Sequence, residues 1–170
     1  MALDYFYLFS GRNYGTDIEP TVLTDGYVYN THTSEWKQLE GNYPLMAATG
    51  IGIDNSEYIL LAGGTDGSIF KKEMELKKKI NDSSTNEALK DSLSFYQNQL
   101  CTFFESVRGF DNVVRWFDTA SNTITKEDSI SYSMPLTTTM TAWNKNIYIV
   151  SGEVRPGVRT PQIIKGFTEK

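Results

Sequence analysis

Short apolar and aromatic runs, each cut off by small or polar residues, make up most of this chain. Residues 5–11 read Tyr-Phe-Tyr-Leu-Phe-Ser-Gly, a strand that ends at Gly11. After a polar loop over 12–19, residues 27–30 (Tyr-Val-Tyr-Asn) predict a strand, 32–35 a turn and 36–39 the return strand of a hairpin. Residues 47–53 are small and apolar, as suits a tightly packed inner strand, and 58–62 form a strand ending at Gly63-Gly64. The same order then recurs. Residues 113–117 predict a strand, 119–122 a turn, 123–127 a return strand, 137–143 a small-residue strand, and 147–150 a strand ending at Ser151-Gly152. One further strand covers 162–167.

Gly11 and Gly64 stand 53 residues apart, and Gly64 and Gly152 stand 88 apart. The excess lies in one stretch, from Lys71 to about Gly109, which is rich in Lys, Glu, Leu and Asn and has no Gly or Pro until Gly109. It predicts two helices, over 69–80 and 85–104. Ser83, Ser84 or Thr85 supplies the second helix's N-cap, Glu87 favours its start, and Leu89, Leu93, Tyr96 and Leu100 share one face. Without an insert of about 35 residues the second spacing returns to the ~50-residue period of kelch repeats. Tyr29 precedes Trp36 by seven residues, as Phe117 precedes Ile124.

A kelch blade is a four-stranded antiparallel sheet that cannot bury both faces alone, so blades come in rings. The expected fold is therefore all-β: one domain over 1–170, a kelch-type β-propeller with a helical excursion at about 69–109. It is a partial one, about two and a half blades, where a closed ring needs at least about four. Terminal blades with uncovered apolar faces predict self-association or poor stability for the isolated chain, the expected partners of those faces being another copy or the remaining propeller blades of a longer protein.

Composition narrows the partners. A formal charge of −5 argues against nucleic acid. No apolar run reaches the ~18–20 residues of a membrane helix. Cys101 is the sole cysteine, which excludes an intrachain disulfide and a cysteine zinc site, and His32 reads as a solvated turn residue. With neither a Gly-rich phosphate loop nor a metal-ligand cluster, no metal or nucleotide cofactor is expected. Residues 1–5 lack the basic region and apolar run of a secretion signal and enter the strand pattern at once, as in a chain cut from something longer.

The chemistry gathers after the 147–150 strand. Glu153, Arg155 and Arg159 fall within seven residues, around a Pro156-Gly157 pair suited to a tight, fixed loop. Taken locally, this is either an acid/base or anion-binding site or a surface turn with an ordinary ion pair.

Three features together are distinctive: Gly63-Gly64-Thr65-Asp66-Gly67-Ser68-Ile69-Phe70, the helical insert followed by 112–118, and Ser151-Gly152-Glu153-Val154-Arg155-Pro156-Gly157-Val158-Arg159-Thr160. With them the chain resembles the bacterial N-acetylneuraminate epimerase (sialic acid mutarotase) family, six-bladed kelch-type propellers, some circularly permuted. The resemblance runs over nearly all 170 residues and about half of the family's length. It implies N-acetylneuraminate as substrate, a periplasmic location, Glu153 as the proton acceptor and Arg159 in binding or catalysis. Where kelch strands end in paired glycines, this chain keeps the pair at Gly63-Gly64 and has Ser10-Gly11 and Ser151-Gly152 elsewhere.

The repeat adds two candidates. Residues just past each strand-ending glycine should project from one face near the propeller axis, which brings Arg12 and Asp66 towards Glu153 as substrate-binding groups. Arg155, before the proline, should face outward, and Lys77-Lys78-Lys79 should be a solvated helix face. The competing reading is a non-catalytic kelch module that binds a glycan or a protein, since fold alone does not fix function. Such a module has no need of Glu153 and Arg159 at the mouth.

Overall fold

A computed structural model describes residues 4–14 and 19–167; part of the polar loop expected over 12–19 lies outside them. Ten strands form three antiparallel sheets. The first sheet has the order β1 (Tyr5–Asn13), β2 (Thr21–Asn30), β3 (Glu35–Gln38). The middle sheet runs β4 (Thr49–Gly52), β5 (Tyr58–Ala62), β6 (Val113–Asp118), β7 (Thr123–Ser129). In the third, β9 (Asn146–Val150) lies between β8 (Met140–Trp143) and β12 (Ile163–Phe167). The two intervening strands, β10 (Glu153–Arg155) and β11 (Val158–Arg159), form a separate two-stranded hairpin. This is a partial kelch-type β-propeller. Among the described residues its strands divide three, four and three, with no counterpart of β4 in the first blade and none of β7 in the third.

The repeat is written in the backbone angles. Ser10, Gly63 and Ser151, at matching positions of the repeat, have φ of 57°, 64° and 60°, and the glycines that follow have φ of 151°, 97° and 118°. In the first blade the strand does not end at Gly11 as expected: it passes an irregularity at Ser10 and stays paired with β2 as far as Asn13. A left-handed serine costs roughly 1–2 kcal/mol. Both serine hydroxyls bond across the turn in partial compensation, Ser10 Oγ donating to Leu23 O at 2.7 Å and Ser151 Oγ to Thr160 O at 2.9 Å. Serine can therefore stand where a kelch strand uses glycine.

Two apolar layers join the sheets. Leu39, Tyr43, Leu45, Leu61 and Phe117 are buried between the first and middle sheets, with Tyr7, Phe9, Val28 and Ile59 packed on them. Ala62, Met134, Met140, Ile147 and Ile149 are buried between the middle and third, with Ile51, Leu60, Val114 and Ile164 alongside.

The helical excursion sits between β5 and β6, as α1 (Ser68–Thr85), a 3-10 turn (Glu87–Ser92) and α2 (Leu93–Ser106). The expected boundary moves. α1 runs through Ser83, which is 1% exposed, and the hydroxyls of Ser84 and Thr85 donate back to Asn81 O rather than capping the next helical turn. Asn86 is the cap instead, its Oδ1 accepting Ala88 N–H at 3.0 Å. The turn from 3-10 to α geometry also breaks the expected face, leaving Leu89 exposed. Among the described residues no helix is long and apolar enough to cross a membrane.

Candidate active site

The position directly after each of these repeat glycines carries Arg12 in the first blade, Thr65 in the second and Glu153 in the third. All three line one cavity of about 220 Å³. Two of them are fixed alike. Thr65 exchanges backbone hydrogen bonds with Met46 (3.1 and 3.0 Å), and Glu153 does so with Leu136 (2.7 and 2.9 Å). The residues after those partners, Ala47 and Thr137, share left-handed φ values of 60° and 50° and also line the cavity. Ile69, Phe70 and Glu73 of α1 close one side and Pro156 another.

Glu153 is half-buried at the base of the β10–β11 hairpin. Pro156 and Gly157 occupy its turn, and the φ of 72° at Gly157 is the one a type II turn requires there. Glu153 Oε1 accepts the Gly157 N–H at 2.7 Å, so the turn's backbone aims the carboxylate. Arg159 is the cross-strand partner of Glu153 in the hairpin, yet among the described residues no ion pair joins them. The exposed guanidinium instead donates from Nη1 to Thr137 Oγ1 at 3.4 Å, which puts it at the cavity rim. Arg12 is held by rings, its guanidinium carbon 4.6 Å from the Tyr14 centroid and 5.2 Å from that of Phe70.

Asp66 stands apart from the cavity lining. Its Oδ1 accepts Ser68 N–H at 2.8 Å, directing the chain into α1, and that bond with the Ser68 hydroxyl holds the carboxyl below its ordinary range. Asp66→Ala should cost about 0.5–1 kcal/mol at neutral pH, at the low end of capping effects because the site is exposed. With the folded-state value depressed, the contribution stands above the usual carboxylate range and disappears as pH falls through the lowered value. The gap in melting temperature between wild type and variant should therefore close in acid.

The structure thus brings Arg12 and Glu153 together, keeps Arg159 at the rim and leaves Asp66 at the helix start. Arg155 is exposed. Thr65, Thr137, Phe70 and Glu73 were not singled out by sequence. For Thr65 the signal existed, since it holds the same post-glycine position as Arg12 and Glu153. Among the described residues no three His, Cys, Asp or Glu side chains gather as metal ligands.

Gly152 sets the site's close packing. A Cβ there would stand 2.6 Å from Pro135 Cβ and 2.8 Å from Leu136 O, in a backbone with φ of 118°. Gly152→Ala should cost about 3 kcal/mol, read as a lowered chemical-denaturation midpoint.

The model of the N-acetylneuraminate epimerase family matches residues 2–170. The chain belongs to this family. N-acetylneuraminate epimerase of Yersinia enterocolitica is 23% identical over 94% of this chain and 39% of its own length. That of Haemophilus influenzae is 23% identical over 96% and 42%. A kelch domain-containing protein of Vibrio cholerae is 27% identical over 91% and 43%. The solved structure of YjhT superposes with a TM-score of 0.73 at 18% identity, covering 100% of this chain and 48% of that one. The chain therefore spans less than half the length of the epimerase-family relatives it matches.

Proposed function

We propose that this chain forms part of a sialic acid mutarotase, which interconverts the anomers of N-acetylneuraminate by acid/base ring opening. The observation that supports this most is the cavity that Arg12 and Glu153 both line from equivalent positions of the repeat, in a chain of the N-acetylneuraminate epimerase family. In this reading Glu153 takes the proton of the anomeric hydroxyl. Its electrons form the ketone as the bond from the anomeric carbon to the ring oxygen breaks, and that oxygen accepts a proton from a second group. Closure on the other face reverses the transfers. Arg12 grips the sugar carboxylate as a bidentate fork, and Arg159 adds positive charge at the rim.

The test follows anomer interconversion of N-acetylneuraminate by NMR, with the uncatalysed rate subtracted, alongside binding titrations against a neutral N-acetylated sugar. Acceleration with preference for the acidic sugar is expected. Arg12→Lys should weaken binding about tenfold by losing the fork, while the melting temperature stays close to wild type. Binding without acceleration would replace this reading with the non-catalytic glycan module.

A further inference from the structure

Three charged side chains line the cavity: Arg12, Glu73 and Glu153. A guanidinium paired with either carboxylate would have little charge left to offer a ligand. Here each carboxylate has a partner of its own. Glu73 is paired with Lys77 one turn further along α1, and Glu153 Oε1 accepts the Gly157 N–H at 2.7 Å. Among the described residues neither forms an ion pair with Arg12. The guanidinium lies instead over two rings, its central carbon 4.6 Å from the Tyr14 centroid and 5.2 Å from that of Phe70. Those rings meet edge-on, 5.4 Å apart at 86°, as the walls of an aromatic corner.

The corner is assembled from two elements far apart in sequence. Tyr14 directly follows β1, and Val22 is the cross-strand partner of Arg12 in the β1–β2 pair. Gly67, the residue before α1, lies so close to Val22 that a Cβ on it would stand 2.3 Å from Val22 Cγ2, and its φ of 81° is one that glycine adopts without strain. The first turn of α1 is thereby pressed onto the end of β1. Phe70, in that turn and 3% exposed, is delivered beside Arg12.

We propose that Phe70 and Tyr14 are positioning residues that keep Arg12 unneutralised in the cavity as a receptor for a carboxylate. The proposal rests on the reading of Arg12 as the carboxylate fork, and it gives the helical excursion a part in recognising the acid. A ring face attracts a cation without supplying a carboxylate oxygen, so it holds the guanidinium and leaves the donor fork to a ligand. An acidic residue in place of either ring would hold the arginine as firmly but would use up the fork.

Tyr14 is 53% exposed, so Tyr14→Leu removes one wall without opening the core. NMR of the isotope-labelled chain reads the arginine side chains directly. In the ligand-free wild type the Arg12 Nε–H proton should lie upfield, shifted by the ring currents. It should move downfield in Tyr14→Leu and stay in place in Tyr14→Phe, which keeps the ring. Acetate, the bare carboxylate, exchanged for chloride at constant ionic strength, should perturb the Arg12 signal of the wild type and of Tyr14→Phe at lower concentration than that of Tyr14→Leu. Affinity for N-acetylneuraminate should fall about two- to fivefold in Tyr14→Leu and return in Tyr14→Phe, while affinity for its methyl ester is the same in all three. An acetate response at Arg12 without N-acetylneuraminate binding would support the receptor and remove the mutarotase reading. A wild-type Arg12 signal with no ring-current shift, or a Tyr14→Leu variant that takes acetate as readily as the wild type, would overturn the proposal.

Discussion

Glu153→Gln is expected to slow anomer interconversion by about 10²–10⁴-fold, the range that general-base catalysis contributes. The amide has nearly the same shape as the carboxylate. Its Oε1 can still accept the Gly157 N–H that is held at 2.7 Å in the wild type, so the β10–β11 hairpin keeps its form. The amide cannot take a proton from the anomeric hydroxyl. The prediction is therefore a fall in kcat with little change in melting temperature or in affinity for N-acetylneuraminate. An active wild type whose Glu153→Gln variant keeps the full rate would take Glu153 out of the chemistry. Glu73, the other carboxylate lining the cavity, would be the next to test.

Phe117→Ala should be the most destabilising single truncation in the fold, costing about 3–5 kcal/mol. Phe117 is 0% exposed, and the rings of Phe9, Tyr7 and Tyr43 approach it edge-on at 4.8, 5.5 and 6.1 Å between centroids. Two of those rings belong to the first sheet, so the cavity opens in the layer that fastens this sheet to the middle one. Against a total stability of about 5–15 kcal/mol the loss is large. A melting temperature lower by about 10 °C is expected, followed by far-ultraviolet circular dichroism. Arg12 rides on the first sheet and Glu153 does not, so weaker N-acetylneuraminate binding should accompany the loosened joint. A variant that melts with the wild type would contradict this account of what holds the blades together.

The strands were legible because their ends are marked by chemistry that the backbone demands. Gly63-Gly64 and its serine-containing counterparts sit where φ is positive, so the repeat survives in sequence even where side chains between the marks diverge. The helical excursion was legible as a type but not at its inner boundary. Ser83, Ser84 and Thr85 have the right side chains for a cap, but α1 continues over them because burial of Ser83 holds that turn helical, and Asn86 takes the capping role. Glu153 was legible from its motif and Arg12 from the repeat. The repeat pointed equally to Asp66, two places past Gly64, but the backbone bridge between Met46 and Thr65 sets Thr65, not Asp66, in the cavity lining. Glu73 and Phe70 were not legible at all. Which side of α1 meets the strand ends is fixed by tertiary contacts such as the edge-on packing of Phe70 on Tyr14, and no local pattern encodes that.

The helical excursion also bears on the order in which the chain assembles. β5 and β6 are adjacent in the middle sheet, with Ala62 paired to Val114 across the whole of α1 and α2. The closure entropy of a longer loop rises only with the logarithm of its length, about 0.6 kcal/mol per doubling, so the excursion costs the finished fold little. Speed is another matter, since non-local pairings slow the search for the native arrangement. α1 and α2 pack against each other close in sequence, as the ion contact of Lys79 over the Tyr96 ring illustrates, and such helical pairs form quickly. Once formed, the helical pair holds its own ends near one another and turns a long floppy tether into a short stiff one. The element that most interrupts the repeat is thus the one best placed to bring the halves of its central blade together.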